Sequence, residues 1–210
     1  MNLLLLLLFL ILSIYNNTII VVGYKNNIFT KSLFTLTEII GKISNNNNNN
    51  NNNNNVNKLV LNKKSVEEIG NSIKNEYENI FWATGNMDMS LWANNCTFSD
   101  PFNSFGGEGS LNRFKQNADN LGKFIINPKL KINSYSIINN KDEIDIIKVG
   151  WIYSSFLKLP WTPILAASGE TFHYLDKNTN LIIKYQETWK SDPIEVLLRL
   201  LKPAKVNSNN

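Results

Sequence analysis

The stretch Leu181-Ile182-Ile183-Lys184-Tyr185-Gln186-Glu187-Thr188-Trp189-Lys190 decides the fold. Leu181, Ile183, Tyr185, Glu187 and Trp189 fall on one side of a strand with period two, and Lys184, Gln186, Thr188 and Lys190 fall on the other. This is the pattern of a half-buried strand in an antiparallel sheet. Its inner face is apolar apart from one carboxylate, Glu187. Immediately upstream, Asp176-Lys177-Asn178-Thr179-Asn180 reads as a turn, so Ala166 to Leu175 returns as the other arm of a hairpin. If Leu175 pairs with Leu181 about that turn, His173 faces Ile183 and Gly169 faces Glu187. His173 and Glu187 then share a face about two residue pairs apart, too far for a ready-made dyad.

Working outward, Ile144 to Leu159 is β-branched and aromatic, and Leu130 to Ile138 alternates, giving two further strands. Helices frame this block. Ser65-Val66-Glu67-Glu68 is a capping box, after which Val66, Ile69, Ile73, Tyr77 and Ile80 recur at three- and four-residue spacing, with Gly85 as a stop. Asp88 can cap a short helix carrying Met89, Leu91 and Trp92. Cys96 to Phe98 and Phe102 to Phe105 read as two short strands about an Asp100-Pro101 turn. Ser110 can cap a helix with Leu111, Phe114, Ala118 and Leu121 on one face, ended by Gly122. At the C-terminal end, Asp192-Pro193-Ile194-Glu195 opens a helix with Ile194, Leu197, Leu198 and Leu201 as its stripe, and Pro203 closes it. Helices gathered against a mostly antiparallel sheet define an α+β domain over residues 65–203.

Charge limits the partners. The whole chain carries a net charge of +4, but the 65–203 segment holds 14 Lys/Arg against 16 Asp/Glu. The basic excess lies in residues 24–64 and the tail, so the domain lacks the clustered cations of a nucleic-acid surface. Cys96 is the only cysteine and His173 the only histidine. No intrachain disulfide and no Cys/His metal site is therefore expected, and no cofactor motif is present.

Several segments together resemble the nuclear transport factor 2-like superfamily: Trp92-Ala93-Asn94-Asn95-Cys96-Thr97-Phe98-Ser99-Asp100-Pro101, Leu157-Lys158-Leu159-Pro160-Trp161-Thr162-Pro163, Ala166-Ala167-Ser168-Gly169 and Glu187-Thr188-Trp189. Within it they look like an uncharacterised family of plants, algae and protists. The resemblance covers about residues 65–203 and implies a cone-shaped, strongly curved sheet closed by helices. It selects no activity, because that superfamily includes isomerases, dehydratases, polyketide cyclases and non-catalytic binders.

Glu187, on an apolar face between Tyr185 and Trp189, is the foremost acid–base candidate, because burial raises a carboxyl pKa unless the group is paired. Indole, phenol or backbone donors could equally satisfy it. Asp100 is a second candidate at the cavity mouth, competing with a plain turn-forming role. Phe102, Trp151, Tyr153, His173, Tyr185 and Trp189 are the residues expected to line a cavity, or else to fill a core. Trp161, on a Pro-stiffened loop, is expected to be exposed. Cys96 lacks a neighbouring base signature and reads as a small strand residue. Three functions fit: binding of a small apolar or amphipathic ligand, an isomerase, cyclase or dehydratase using Glu187 or Asp100, and a dimerisation scaffold built on the open sheet face.

Residues 1–23 read as a signal peptide, with an apolar run from Leu3 to Leu12 and Gly23 before Tyr24. A retained anchor over residues 3–22 is the alternative, since the two apolar runs together approach spanning length. Only in that case is a membrane a partner. Either reading directs the chain to the secretory pathway. Residues 24–64 form a linker containing the uninterrupted Asn run 45–55, which has no apolar side chains to offset the entropy of ordering, and residues 204–210 form a tail. Asn16-Asn17-Thr18 and Asn95-Cys96-Thr97 are formal glycosylation sequons. Intact mass of the protein from its native secretory route should show an N-terminus at Tyr24. A mature chain beginning at Met1 would refute cleavage.

Overall fold

The computed structural model describes residues 63–139 and 144–204. The targeting segment, linker residues 24–62, residues 140–143 and residues 205–210 lie outside the described residues. No described helix is long and apolar enough to cross a membrane.

The elements run α1 (Val66–Glu78), α2 (Phe81–Thr84), a 3-10 turn (Met89–Leu91), β1 (Trp92–Ser99), β2 (Ser104–Phe105), α3 (Ser110–Gly122), β3 (Ile125–Ile138), β4 (Asp145–Leu157), β5 (Ile164–Leu175), β6 (Ile182–Trp189) and α4 (Pro193–Arg199). The six strands form one sheet in the order β2-β1-β6-β5-β4-β3. Every pairing is antiparallel except β1 with β6, which is parallel. The fold is α+β, with a curved, mostly antiparallel sheet and helices against it.

Local chemistry sets the helix ends. Ser65 Oγ accepts from Glu68 N at 3.1 Å while Ser65 N donates to Glu68 Oε2 at 2.6 Å. A cap of this kind is worth about 1 kcal/mol. α1 then buries Ile69, Ile73 and Tyr77. The chain turns sharply at Ile80, whose φ of 53° is strained for a β-branched residue by about 1–2 kcal/mol. Burial of the Ile80 side chain holds that turn and starts α2, a helix that the sequence pattern did not reveal. Asp88 caps as expected, with Oδ1 accepting from Ser90 N, but it opens a single 3-10 turn, and Trp92 already belongs to β1. α3 is capped by Gly109 at φ 76°, not by Ser110. The Ser110 hydroxyl instead donates to the Cys96 carbonyl at 2.6 Å and fastens α3 to β1. Asn95, of the second sequon, is exposed on β1.

The long strands define the inside. Along β4, Ile147, Val149, Trp151, Tyr153 and Ser155 are all buried, while Ile152 and Phe156 are exposed on the other face. β5 pairs with β4 without interruption from Asp145↔Leu175 to Phe156↔Ile164. β6 departs from the simple alternation. Leu175 pairs with Ile182 and Tyr174 pairs with Lys184, so Ile183 is an extra residue, a β-bulge. Ile182, not Leu181 or Ile183, therefore enters the core. From Lys184 onward the inward set is Tyr185, Glu187 and Trp189, as the alternation requires. The pairing is also displaced from the expected one: His173 faces Tyr185, Thr171 faces Glu187 and Gly169 faces Trp189.

α4 corrects another expectation. Asp192 caps it through Ile194 N and Glu195 N. The buried residue is Val196, however, while Ile194, Leu198 and Leu201 are exposed. The helix packs mainly on β5, and of its apolar positions Val196 meets the core while most of the expected stripe does not. Trp161 is half-buried rather than exposed, because its Nε1 donates to the Leu200 carbonyl at 2.8 Å, one of the carbonyls left open at the end of α4.

Gly169 lies under the Trp151 indole, and an added Cβ would strike that ring and the Thr188 carbonyl of β6. Gly169→Ala should therefore destabilise the domain by about 1–3 kcal/mol, the usual range for overpacking. Urea denaturation checks this, and an unchanged midpoint would contradict it.

Candidate functional site

The interior between α1, α3, β1 and β6 is filled by rings. Phe98 stacks on Phe114 at 4.2 Å, Tyr77 meets Phe81 edge-on at 5.4 Å, and Trp92 contacts Phe81, Phe98, Phe114 and Tyr185. His173 sits inside this packing, fully buried, against Tyr77, Trp92 and Tyr185. Its Nδ1 is 3.2 Å from the Ile147 carbonyl, which can only accept, so Nδ1 carries the proton. Burial pushes its pKa down to about 4, so it is neutral at physiological pH. His173 and Tyr185 thus belong to the packed core beneath the mouth and do not line an open rim. Cys96 is likewise enclosed, and burial pushes its thiol up to about 12, which leaves no thiolate for nucleophilic chemistry.

Further along β6, Glu187 is held from both sides. Tyr185 Oη donates to Oε2 at 2.5 Å and Trp189 Nε1 donates to Oε1 at 2.5 Å. Residues two apart on one strand face the same way, so the alternation Tyr-Gln-Glu-Thr-Trp builds this clamp from β6 alone. Desolvation raises the Glu187 pKa to about 7, opposed by the Tyr185 and Trp189 donors and assisted by the charge of Asp100. Asp100 forms the turn that the sequence suggested, with Oδ1 accepting from Phe102 N at 2.7 Å and Asn103 N at 2.9 Å. Desolvation raises its pKa too, against those two donors. The Asp100 turn places Phe102 edge-on to Trp189 at 5.3 Å, and Trp189 meets Trp151 at 6.4 Å. Trp151 Nε1 donates to Thr171 Oγ1 at 3.0 Å. Asp100, Phe102, Trp151, Glu187 and Trp189 are therefore one neighbourhood.

The aromatic wall continues past Trp151 to residues that sequence reasoning left out. Trp82 of α2 lies 6.2 Å from Trp151 and 4.6 Å from Tyr153, edge-on to the latter. Ser155 follows Tyr153 on the inner face of β4. A polar residue continuing the inward parity of Trp151 and Tyr153 was the available signal for Ser155. None existed for Trp82, whose helix was not foreseen. At the opposite end of β4, a separate polar groove of about 440 Å³ is lined by Lys63, Val66, Glu67, Asn139, Asp145, Lys177 and Asn180. No group of three or more His, Cys, Asp or Glu side chains placed to hold a metal ion occurs among the described residues.

No curated protein matches the chain by sequence. Solved structures to which it is similar include an NTF2-like protein of unknown function from Exiguobacterium sp. 255-15, at 13% identity and a TM-score of 0.43, covering 57% of this chain and 98% of that one. A nuclear transport factor 2-like superfamily protein from Salmonella enterica matches at 12% identity and a TM-score of 0.44, covering 61% and 96%. A pinacolase from Penicillium brevicompactum matches at 14% identity and a TM-score of 0.46, covering 63% and 94%. A family model described as uncharacterized conserved protein, DUF2358, matches residues 67–185, more than half of the chain, and the chain belongs to that family.

Proposed function

We propose that the wide end of the cone binds a small, mostly apolar ligand against Phe102, Trp151, Tyr153 and Trp189, with Glu187 as the polar contact. The observation that carries this reading is the clamped carboxyl. Glu187 is half-buried in an aromatic wall, and its two oxygens are oriented by Tyr185 and Trp189. Each carboxyl oxygen has a further lone pair free to accept a donor from a ligand. Apolar walls with a few placed polar groups are the usual make-up of a small-molecule site. Titration of wild type with 2-naphthol, followed by quenching of tryptophan fluorescence, should saturate. Glu187→Gln should weaken binding about tenfold, the loss expected for one hydrogen bond to a charged group. Absence of saturable quenching up to millimolar probe would overturn the reading.

A second reading is favoured by one specific observation, the Glu187 pKa near 7, which suits a group that both takes and gives protons at neutral pH. In it, Glu187 moves a proton at a carbon next to a carbonyl. Deuterium exchange into the methyl group of 2-acetylnaphthalene in D2O tests it: catalysed exchange abolished by Glu187→Gln supports an enzyme, and exchange at the buffer rate supports a binder.

Both readings depend on the Glu187 titration. Carbon-13 NMR of the labelled carboxyl should show a midpoint near 7. Tyr185→Phe removes a donor to the ionised form and should move it upward. Asp100→Asn removes a like charge and should move it downward. A midpoint near the ordinary glutamate value, indifferent to both changes, would contradict the electrostatic account.

A further inference from the structure

From three buried donors at the end of the aromatic wall we infer that Tyr153, Ser155 and Trp82 form a carbonyl-binding corner, and that the ligand is an aromatic molecule bearing a neutral carbonyl group. The inference rests on the pocket reading above and specifies the chemistry of its occupant.

Tyr153 is 2% exposed and Ser155 is 3% exposed. The Tyr153 hydroxyl, the Ser155 hydroxyl and the Trp82 indole N–H are all buried; the two hydroxyls are close enough to interact with each other, and no other described residue bonds any of the three atoms. Buried polar atoms are almost always paired, so three in one corner call for a partner that the chain does not supply. The strand register explains why. Tyr153 lies opposite Leu130 of β3 and Ala167 of β5, and Ser155 lies opposite Leu165. These neighbours offer no side-chain acceptor. A bond between the two hydroxyls would use one donor and leave two, the remaining hydroxyl hydrogen and the indole N–H. The corner therefore has donors in excess, and the matching ligand atom is an acceptor.

Charge narrows the class. Burial, not a neighbouring cation, dominates the environment of Tyr153, and no charged side chain acts on it. A carboxylate or phosphate placed here would be buried without a counter-charge, which is heavily disfavoured. A neutral carbonyl oxygen has two lone pairs for the donors and needs no cation. The rest of the ligand is set by the wall: Trp82 lies 4.6 Å from Tyr153, Trp151 is 6.2 Å from Trp82, and Trp189 is 6.4 Å from Trp151. Ring faces and edges favour an aromatic body. An oxygen-bearing end lies in the corner, and the other end runs toward Glu187.

The test compares 2-acetylnaphthalene with 2-isopropenylnaphthalene, which replaces C=O by C=CH2 at nearly the same shape. In wild type the ketone should bind about tenfold more tightly than the alkene, since a site of hydrogen-bonding groups discriminates against a partner that leaves them unpaired. Tyr153→Phe and Ser155→Ala should each reduce that preference to threefold or less while leaving alkene affinity within twofold. Carbonyl-13C ketone gives a readout separate from affinity: its bound resonance should lie downfield of that in apolar solvent, and the shift should shrink in either variant. Ser155→Ala, the smaller change, decides the matter if Tyr153→Phe does not fold. Equal binding of ketone and alkene in wild type would overturn the corner while leaving the pocket standing. Failure of both probes to bind would overturn the pocket itself, and this inference with it.

Discussion

One extra residue in the last strand governs how the interior is arranged. Between the pairs Leu175↔Ile182 and Tyr174↔Lys184, Ile183 is left over, and the strand changes phase there. Ile182 and Tyr185 are three apart, yet both are buried, which a regular strand cannot arrange. Before the bulge, Ile182 completes the core near Leu175. After it, Tyr185, Glu187 and Trp189 face inward in order. The bulge also sets which β5 residue each one meets, so His173 lies against Tyr185, and Thr171, the acceptor of the Trp151 indole, lies opposite Glu187.

From that phasing the cone divides into two regions of different chemistry. In the first, rings pack on rings and the sole histidine is kept neutral by burial, which outweighs the opposing effect of the Ile147 carbonyl. Such packing fixes shape and excludes water. In the second, polar atoms sit within aromatic surroundings. Glu187 is supplied with donors by its own strand, whereas Tyr153, Ser155 and Trp82 carry more buried donors than the side chains around them offer acceptors. The two ends of the wall are complementary in hydrogen-bond character, an oriented acceptor at one end and unpaired donors at the other. In the proposed site, this contrast would give a bound ligand a direction.

Much of the framework was legible because it rests on local chemistry. The Ser65–Glu68 capping box, the Asp192 cap and the Asp100 turn each depend on side chains bonding to backbone within three residues, and all three form as their sequences imply. Long strands were legible through parity and β-branching. What failed were features without a local signature. α2 follows a left-handed Ile80 that only tertiary burial sustains. Most of the α4 stripe is exposed because the helix meets the sheet mainly along β5, and its own periodicity cannot say how much of its face will be covered. Trp161 is tied down by a carbonyl 39 residues away in sequence.

By itself, then, the sequence determined an α+β domain of near-neutral charge, the order of its strands and longer helices, and a single carboxylate on the inward face of the last strand, since helix caps, turn residues and side-chain parity are set by neighbours along the chain. The tertiary structure decided the rest: that His173 belongs to the core, that Tyr185 and Trp189 clamp Glu187, and that Trp82, Tyr153 and Ser155 meet in one buried corner. Those outcomes depend on strand register, on one bulge, and on where α2 lands against β4. Each is fixed by contacts between residues far apart in sequence, which no local pattern encodes.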